Sequence, residues 1–216
     1  MKNKRIEIII WICAALPLAA TLCLFPILPQ QIPLHWNLNG EIDAYGSRFS
    51  ALATGGLSLG LAALLQFLPR IDPKRANYEK FGTAYNAFRL ALALFFIVMQ
   101  GATLYAAFDP TGIRMESVIT ASLGVLLCVI GNFMPKFKHN YFVGIKTPWT
   151  LANTECWRRT HRFAAPLWVL GGILTILCSF FTGKSVLMFA EIGIITVIVL
   201  VPFLYSYLIY KKCAED

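Results

Sequence analysis

Six apolar runs, each long enough to cross a bilayer as a helix, constrain this chain more than any other feature. They cover residues 8–28, 50–68, 87–108, 118–134, 164–181 and 186–207. Crossing the roughly 30 Å of hydrocarbon takes about 17 to 25 helical residues. The runs lack the alternation of a transmembrane barrel, and an open sheet would leave backbone groups unpaired in lipid, so helices are the reading. With 57% hydrophobic and 14% charged residues, against roughly 25% charged in a soluble domain, the 216-residue chain cannot hide its apolar surface in water. The expected fold class is an all-α integral membrane protein of six transmembrane helices. Residues 1–216 read as one domain, with halves 1–110 and 111–216, and no internal repeat suggests an inverted-repeat transporter. Lys2, Lys4 and Arg5 precede the first run as in a signal peptide, but that run is too long and lacks a small-x-small cleavage site, so an uncleaved anchor is expected.

The net charge of +8 would suggest nucleic acid in a soluble protein. Here it follows topology. Fifteen Lys and Arg fall on one side of the six spans and three, Arg48, Arg114 and Lys184, on the other. The positive-inside rule therefore predicts a multi-pass cell-membrane protein with both termini cytoplasmic, and no nucleic acid as partner. Arg89, the nineteenth, is expected to snorkel from the third span to the headgroups. The six cysteines show no C-x-x-C spacing, which leaves metal or redox motifs unsupported and no cofactor implied.

The loops carry the chemistry. In the outer loop, residues 29–49, Pro29 and Pro33 impose extended backbone and Asn39-Gly40 suits a tight turn, predicting a compact hairpin at the outer headgroups. His35, Glu41 and Asp43 match no standard metal-site spacing. Asp72-Pro73 in the first inner loop reads as an N-cap followed by Pro at the first helical position. The second inner loop, 131–163, interleaves Phe137, Tyr141, Phe142, Trp149 and Trp157 with Lys136, Lys138, Lys146, Arg158, Arg159 and Arg162, the composition of an interfacial element. Asn132 is placed to cap carbonyls or bridge helices, and Asn153 is an N-cap leading into the fifth span.

Within the spans, Glu191 lies about 7 to 8 Å deep in the sixth run. An intramembrane carboxylate is a functional candidate by default, and Gln100 and Thr103 lie at comparable depth to bond it in a polar pocket. Gly55, Gly56 and Gly60 form a small-residue stripe, with Gly56 and Gly60 four apart, that suggests close packing of the second helix.

Leu28-Pro29, Ile32-Pro33, His35-Trp36-Asn37, Gly40, Asp43 and Gly46-Ser47 resemble the N-terminal signature of a bacterial membrane domain of unknown function. Asn132, Lys138, Asn140, the run Phe142-Val143-Gly144-Ile145-Lys146-Thr147-Pro148-Trp149-Thr150-Leu151, Trp157 and His161-Arg162-Phe163 resemble the signature of the SdpI family, immunity proteins against a sporulation-delaying toxin. Asp72-Pro73-Lys74 lies between the two. The resemblance implies a non-enzymatic protein that protects the cell from a membrane-active peptide toxin and passes the signal to a cytoplasmic repressor. It places toxin recognition outside, at His35, Trp36, Asn37, Gly40 and Asp43. It places the inner surface at Asn132, Lys138, Asn140, Gly144, Lys146, Thr147, Pro148, Trp149, Trp157, His161 and Arg162, beside membrane lipids. The competing reading is a small solute or ion-coupled transporter using Gln100 and Glu191. An enzyme built on His139, Cys156 and His161 lacks any carboxylate pair, HExxH or phosphate loop.

Overall fold

The computed structural model describes residues 4–37, 40–181 and 185–215. Helices α1 (Lys4–Leu24), α2 (Ser50–Ile71), α3 (Asn77–Phe108), α4 (Met115–Phe133), α6 (Thr154–Ser179) and α7 (Ser185–Glu215) hold the six apolar runs, and all six are long and apolar enough to cross a membrane. A short helix, α5 (Pro148–Ala152), lies in the second inner loop. The outer loop is not helical. Strands β1 (Gln31–Trp36) and β2 (Ile42–Ser47) pair antiparallel, with bulges around His35, so the all-α expectation is corrected to six helices plus a hairpin. Pro33 suits such an irregular two-stranded ribbon, where a missing N–H breaks no interior ladder. Gly40 takes φ +79° at the turn, while Asn39 lies outside the described residues.

Two helices, α3 and α6, begin ten residues before their apolar runs. Asn153 Oδ1 accepts from Glu155 N and Cys156 N, 2.8 and 2.9 Å, and starts α6 ten residues before the lipid-compatible stretch. Asp72 caps a turn rather than a helix: its Oδ1 accepts from Lys74 N at 2.7 Å, and α3 starts only at Asn77, with a kink at Phe81. Pro26 ends α1 in a 3₁₀ turn, Phe25–Ile27.

The helices pack as two trios, α1–α2–α3 and α4–α6–α7, joined through α3 and α4. In the second trio the α4 and α6 backbones nearly touch. A Cβ built on Gly124 would lie 2.7 Å from the Gly172 oxygen, and one on Gly172 would lie 2.6 Å from the Gly124 oxygen. In lipid, where apolar association gains nothing from expelling water, this close approach is what holds helices together. Of the stripe Gly55, Gly56 and Gly60 expected to pack closely, Gly56 and Gly60 do not, because a Cβ at either position meets nothing within 4 Å. Gly55 is the packing glycine of α2, set against Thr21 and the backbone of Pro17 and Leu18 in α1.

Arg89 does not snorkel. It is 4% exposed, and its Nη1 donates to Glu7 Oε1 at 2.8 Å and its Nη2 to Gln66 Oε1 at 3.1 Å, tying α3 to α1 and α2. Trp11 Nε1 donates to the same Gln66 oxygen at 2.8 Å. A lone charge near the bilayer centre costs about 2.5 to 3.5 kcal/mol on insertion scales, and an opposite charge in contact removes most of the reason to reach for water.

Candidate functional site

The second inner loop folds into a buried cap rather than a solvated strap. At its centre Asn140 is fully buried and saturates its amide. Oδ1 accepts from Phe142 N and Val143 N, 2.9 and 2.7 Å, and Nδ2 donates to the carbonyls of Lys138 and Val143, both 2.9 Å. Such bonds contribute about 0.5 to 1.5 kcal/mol each, and leaving a buried partner unpaired costs about 1 to 3. One side chain thus folds the turn 138–143.

The next turn is built on His161. Its Nε2 accepts from Ile145 N at 2.9 Å while Nδ1 donates to the Trp157 carbonyl at 2.8 Å, a pattern only the neutral Nδ1–H tautomer satisfies. Gly144, at φ +119°, passes so close that a Cβ there would collide with Nε2 and come within 3.1 Å of the Trp157 ring. Trp157 is buried, stacks on His161 at 4.1 Å and donates Nε1 to the Phe137 carbonyl at 2.9 Å.

Thr147 then caps α5, its hydroxyl accepting from Thr150 N at 3.1 Å, with Pro148 at the first helical position. The Thr147 and Ser206 hydroxyls meet at 3.0 Å, and Trp149 packs on Phe203 and Tyr207, so α5 is docked on α7. Buried Cys156 donates to the Ser206 carbonyl at 3.2 Å, completing that seam.

The cap also grips the other trio. Asp72 Oδ2 accepts from Tyr78 OH at 2.9 Å and from Tyr141 N at 3.0 Å, and Asn77 Nδ2 donates to the His139 carbonyl at 2.8 Å. Tyr78, Phe81 and Tyr85 of α3 pack with Met134, Phe137, Val143 and Ala164 in one apolar cluster. His139 is buried against the Trp157 ring at 5.2 Å. Burial, with Lys74 nearby, holds its imidazole below the ordinary histidine range, partly countered by Asp72. Among the signature residues, Asn140, Thr147, Trp157 and His161 are buried, Gly144 and Trp149 half-buried, and Asn132, Lys138, Lys146, Pro148 and Arg162 exposed. Asn132 stands on α4 outside the hydrogen-bonded cluster.

At the opposite end the hairpin is tied at its tip by Asn37, whose Nδ2 donates to Glu41 Oε2 at 2.9 Å and whose Oδ1 accepts from Glu41 N at 3.0 Å. His35 Nδ1 and Asp43 Oδ1 lie 2.5 Å apart on the exposed face, where the His35 side chain is 68% exposed. Trp36 faces inward and packs with Ala102 and Ala106 of α3 and Met115 of α4. Gly40 sits over the Glu116 carboxylate of α4, where a Cβ would come 2.5 Å from Oε2. Among the described residues, no group of three or more His, Cys, Asp or Glu could hold a metal.

Gln100 and Glu191 do not share a pocket. Gln100 Nε2 donates to Thr21 Oγ1 at 2.9 Å and to the Ala51 carbonyl at 3.1 Å, binding the first trio, and Thr103 returns its hydroxyl to the Met99 carbonyl. Glu191 bonds Thr120 of α4 in the second trio. The Glu7–Arg89–Gln66 group, with Arg89 buried and its two partners half-buried, is a polar cluster that the sequence does not predict. Its one sequence signal is a charge on the apolar third run.

Residues 136–206 match the SdpI/YfhL protein family. Over that segment the chain resembles the SdpI family. Residues 12–59 match a domain of unknown function, DUF1648, over most of α1, the hairpin and the start of α2. The chain is 26% identical to the Immunity protein SdpI of Bacillus subtilis (strain 168) over 98% of both chains. No solved structure matches it. The family segment holds the cap, α6 and most of α7, so the residues that build the His161 turn are the family's own segment of this chain.

Proposed function

We propose that this chain is a cell-membrane immunity protein, both termini cytoplasmic, that protects a bacterium from a membrane-active peptide toxin and reports the toxin to a cytoplasmic repressor. The observation that carries this reading is the exchange of grips between the trios. The hairpin leaves the first trio and sets its tip on Glu116 at the start of α4, while the cap leaves α4 and binds Asp72, Asn77 and Tyr78 of the first trio at the other end. The α4–α6 pair between them packs backbone to backbone and suits a rigid strut. The full-length likeness to a protein named an immunity protein, and the fifteen-to-three charge bias, support the same reading.

The exposed His35–Asp43 face is the toxin-facing surface, and the exposed Lys138, Lys146 and Arg162 are the repressor-facing one. Survival of a toxin-sensitive strain tests the assignment. Asp43→Asn lowers protection while Arg162→Ala leaves protection intact and frees the repressor, read as transcription from its promoter. Equal effects of the two variants on both readouts contradict it. No observation favours the transporter reading, since Gln100 and Glu191 lie in different trios.

A further inference from the structure

Where the trios meet, α3 and α4 leave a groove of about 250 Å³ between them, lined by Ala91, Leu94 and Val98 of α3 and by Ala121, Ser122 and Val125 of α4. Its lining runs over residues 91–98 and 121–129, which at 1.5 Å per residue is about 10 to 12 Å along the helices. The mean cross-section is then about 20 to 25 Å². A helix with side chains is about 10 to 12 Å across, roughly 80 Å² or more, so it cannot seat in the groove. A single extended hydrocarbon chain can.

The groove has a polar end. Ser122, Val125 and Val129 fall on one stripe of α4, whose next position is Asn132, and Lys136 ends the 3₁₀ turn Met134–Lys136 that follows the helix; both are exposed at the cap end. Lys136 Nζ stands over the Phe133 ring, 5.0 Å from its centroid, which keeps the ammonium at this end of α4. An apolar slot that leads to an amide and an ammonium has the chemistry of an amphiphile with an anionic head. It also gives a ligand to Asn132, which the cap leaves outside.

We propose that this groove binds one anionic phospholipid, an acyl chain lying between α3 and α4 and the phosphate held by Asn132 Nδ2 and Lys136 Nζ. The lipid seals the junction between the trios. Only the choice of leaflet rests on the proposed orientation, since anionic lipid is enriched on the cytoplasmic side.

The full chain, purified and exchanged into vesicles of equal phosphatidylglycerol and phosphatidylcholine, is released into native mass spectrometry. One phosphatidylglycerol per chain is retained, with about tenfold preference over phosphatidylcholine, the size of one charge-assisted bond. Lys136→Gln, at an exposed position, abolishes the preference, and Ala121→Phe, which fills the slot, removes the adduct of either lipid. Equal retention of the two lipids by the native chain, an unchanged preference in Lys136→Gln, or displacement by an apolar helical peptide overturns the proposal. Because adducts and survival are read separately, failure of the immunity reading leaves this result standing.

Discussion

Gly144 and His161 are fitted to one another: the backbone at Gly144 passes so near the imidazole that no side chain has room, and the N–H that follows, from Ile145, bonds the imidazole Nε2 at 2.9 Å. The positive φ of 119° at Gly144 adds a conformational demand that L-residues rarely meet. Gly144→Ala therefore destabilises the protein by about 2 kcal/mol or more, through strain and displacement of His161. Thermal unfolding in detergent shows a clear fall in midpoint, and an unchanged midpoint refutes the fit.

The Arg89–Glu7 pair makes a second prediction. Removing Glu7 leaves the Arg89 guanidinium, 4% exposed, buried among helices without its opposite charge, so Glu7→Leu alone costs about 3 to 5 kcal/mol. Glu7→Leu combined with Arg89→Met is much closer to the native protein, because no charge then remains. A double-mutant cycle on detergent unfolding measures the coupling; additive single effects contradict it.

His139 sets a pH dependence. Its folded-state pKa lies below the ordinary value of about 6.5, chiefly because it is buried and then because Lys74 is near. Above about pH 6.5 both folded and unfolded chains hold it neutral and it contributes no slope. As pH falls below that, the unfolded chain takes up the proton first, and stability drops until the folded His139 protonates too. Unfolding midpoints from pH 7.5 to 5 decline in the native protein, and His139→Gln reduces the decline. Parallel curves count against this assignment.

Trp149 and Arg162 separate structure from signalling. Trp149 packs on Phe203 and Tyr207, so Trp149→Ala undocks α5 from α7 and lowers both stability and function. Arg162 is exposed, and Arg162→Ala changes the unfolding midpoint by no more than about 0.5 kcal/mol equivalent while it weakens repressor control. A comparable loss of stability in both variants removes the distinction.

The spans, the hairpin and the Asn153 cap could be read from local pattern, since apolar run length, proline and glycine placement and cap residues act within a few positions. The same reading treated the inner signature as one surface and Arg89 as a snorkelling charge. Both misreadings have one cause. The partners of Arg89 and Gln100 lie 82 and 79 residues away, and Asn140 and His161 bond Tyr78 and Ile145 across 62 and 16 residues. Apolar periodicity carries no register for such pairs. The small-residue stripe of α2 is borne out at one position of three for a related reason: Gly55, Gly56 and Gly60 look equivalent until α1 packs on Gly55.

Protection against a peptide toxin is the most direct test of the immunity function. A toxin-sensitive bacterium expressing this chain, challenged with a panel of secreted membrane-active peptides, survives at least one of them at concentrations that kill the same strain expressing Gly144→Ala. Survival no better than that of the empty strain against every peptide, with the native chain folded in the membrane, contradicts the immunity function.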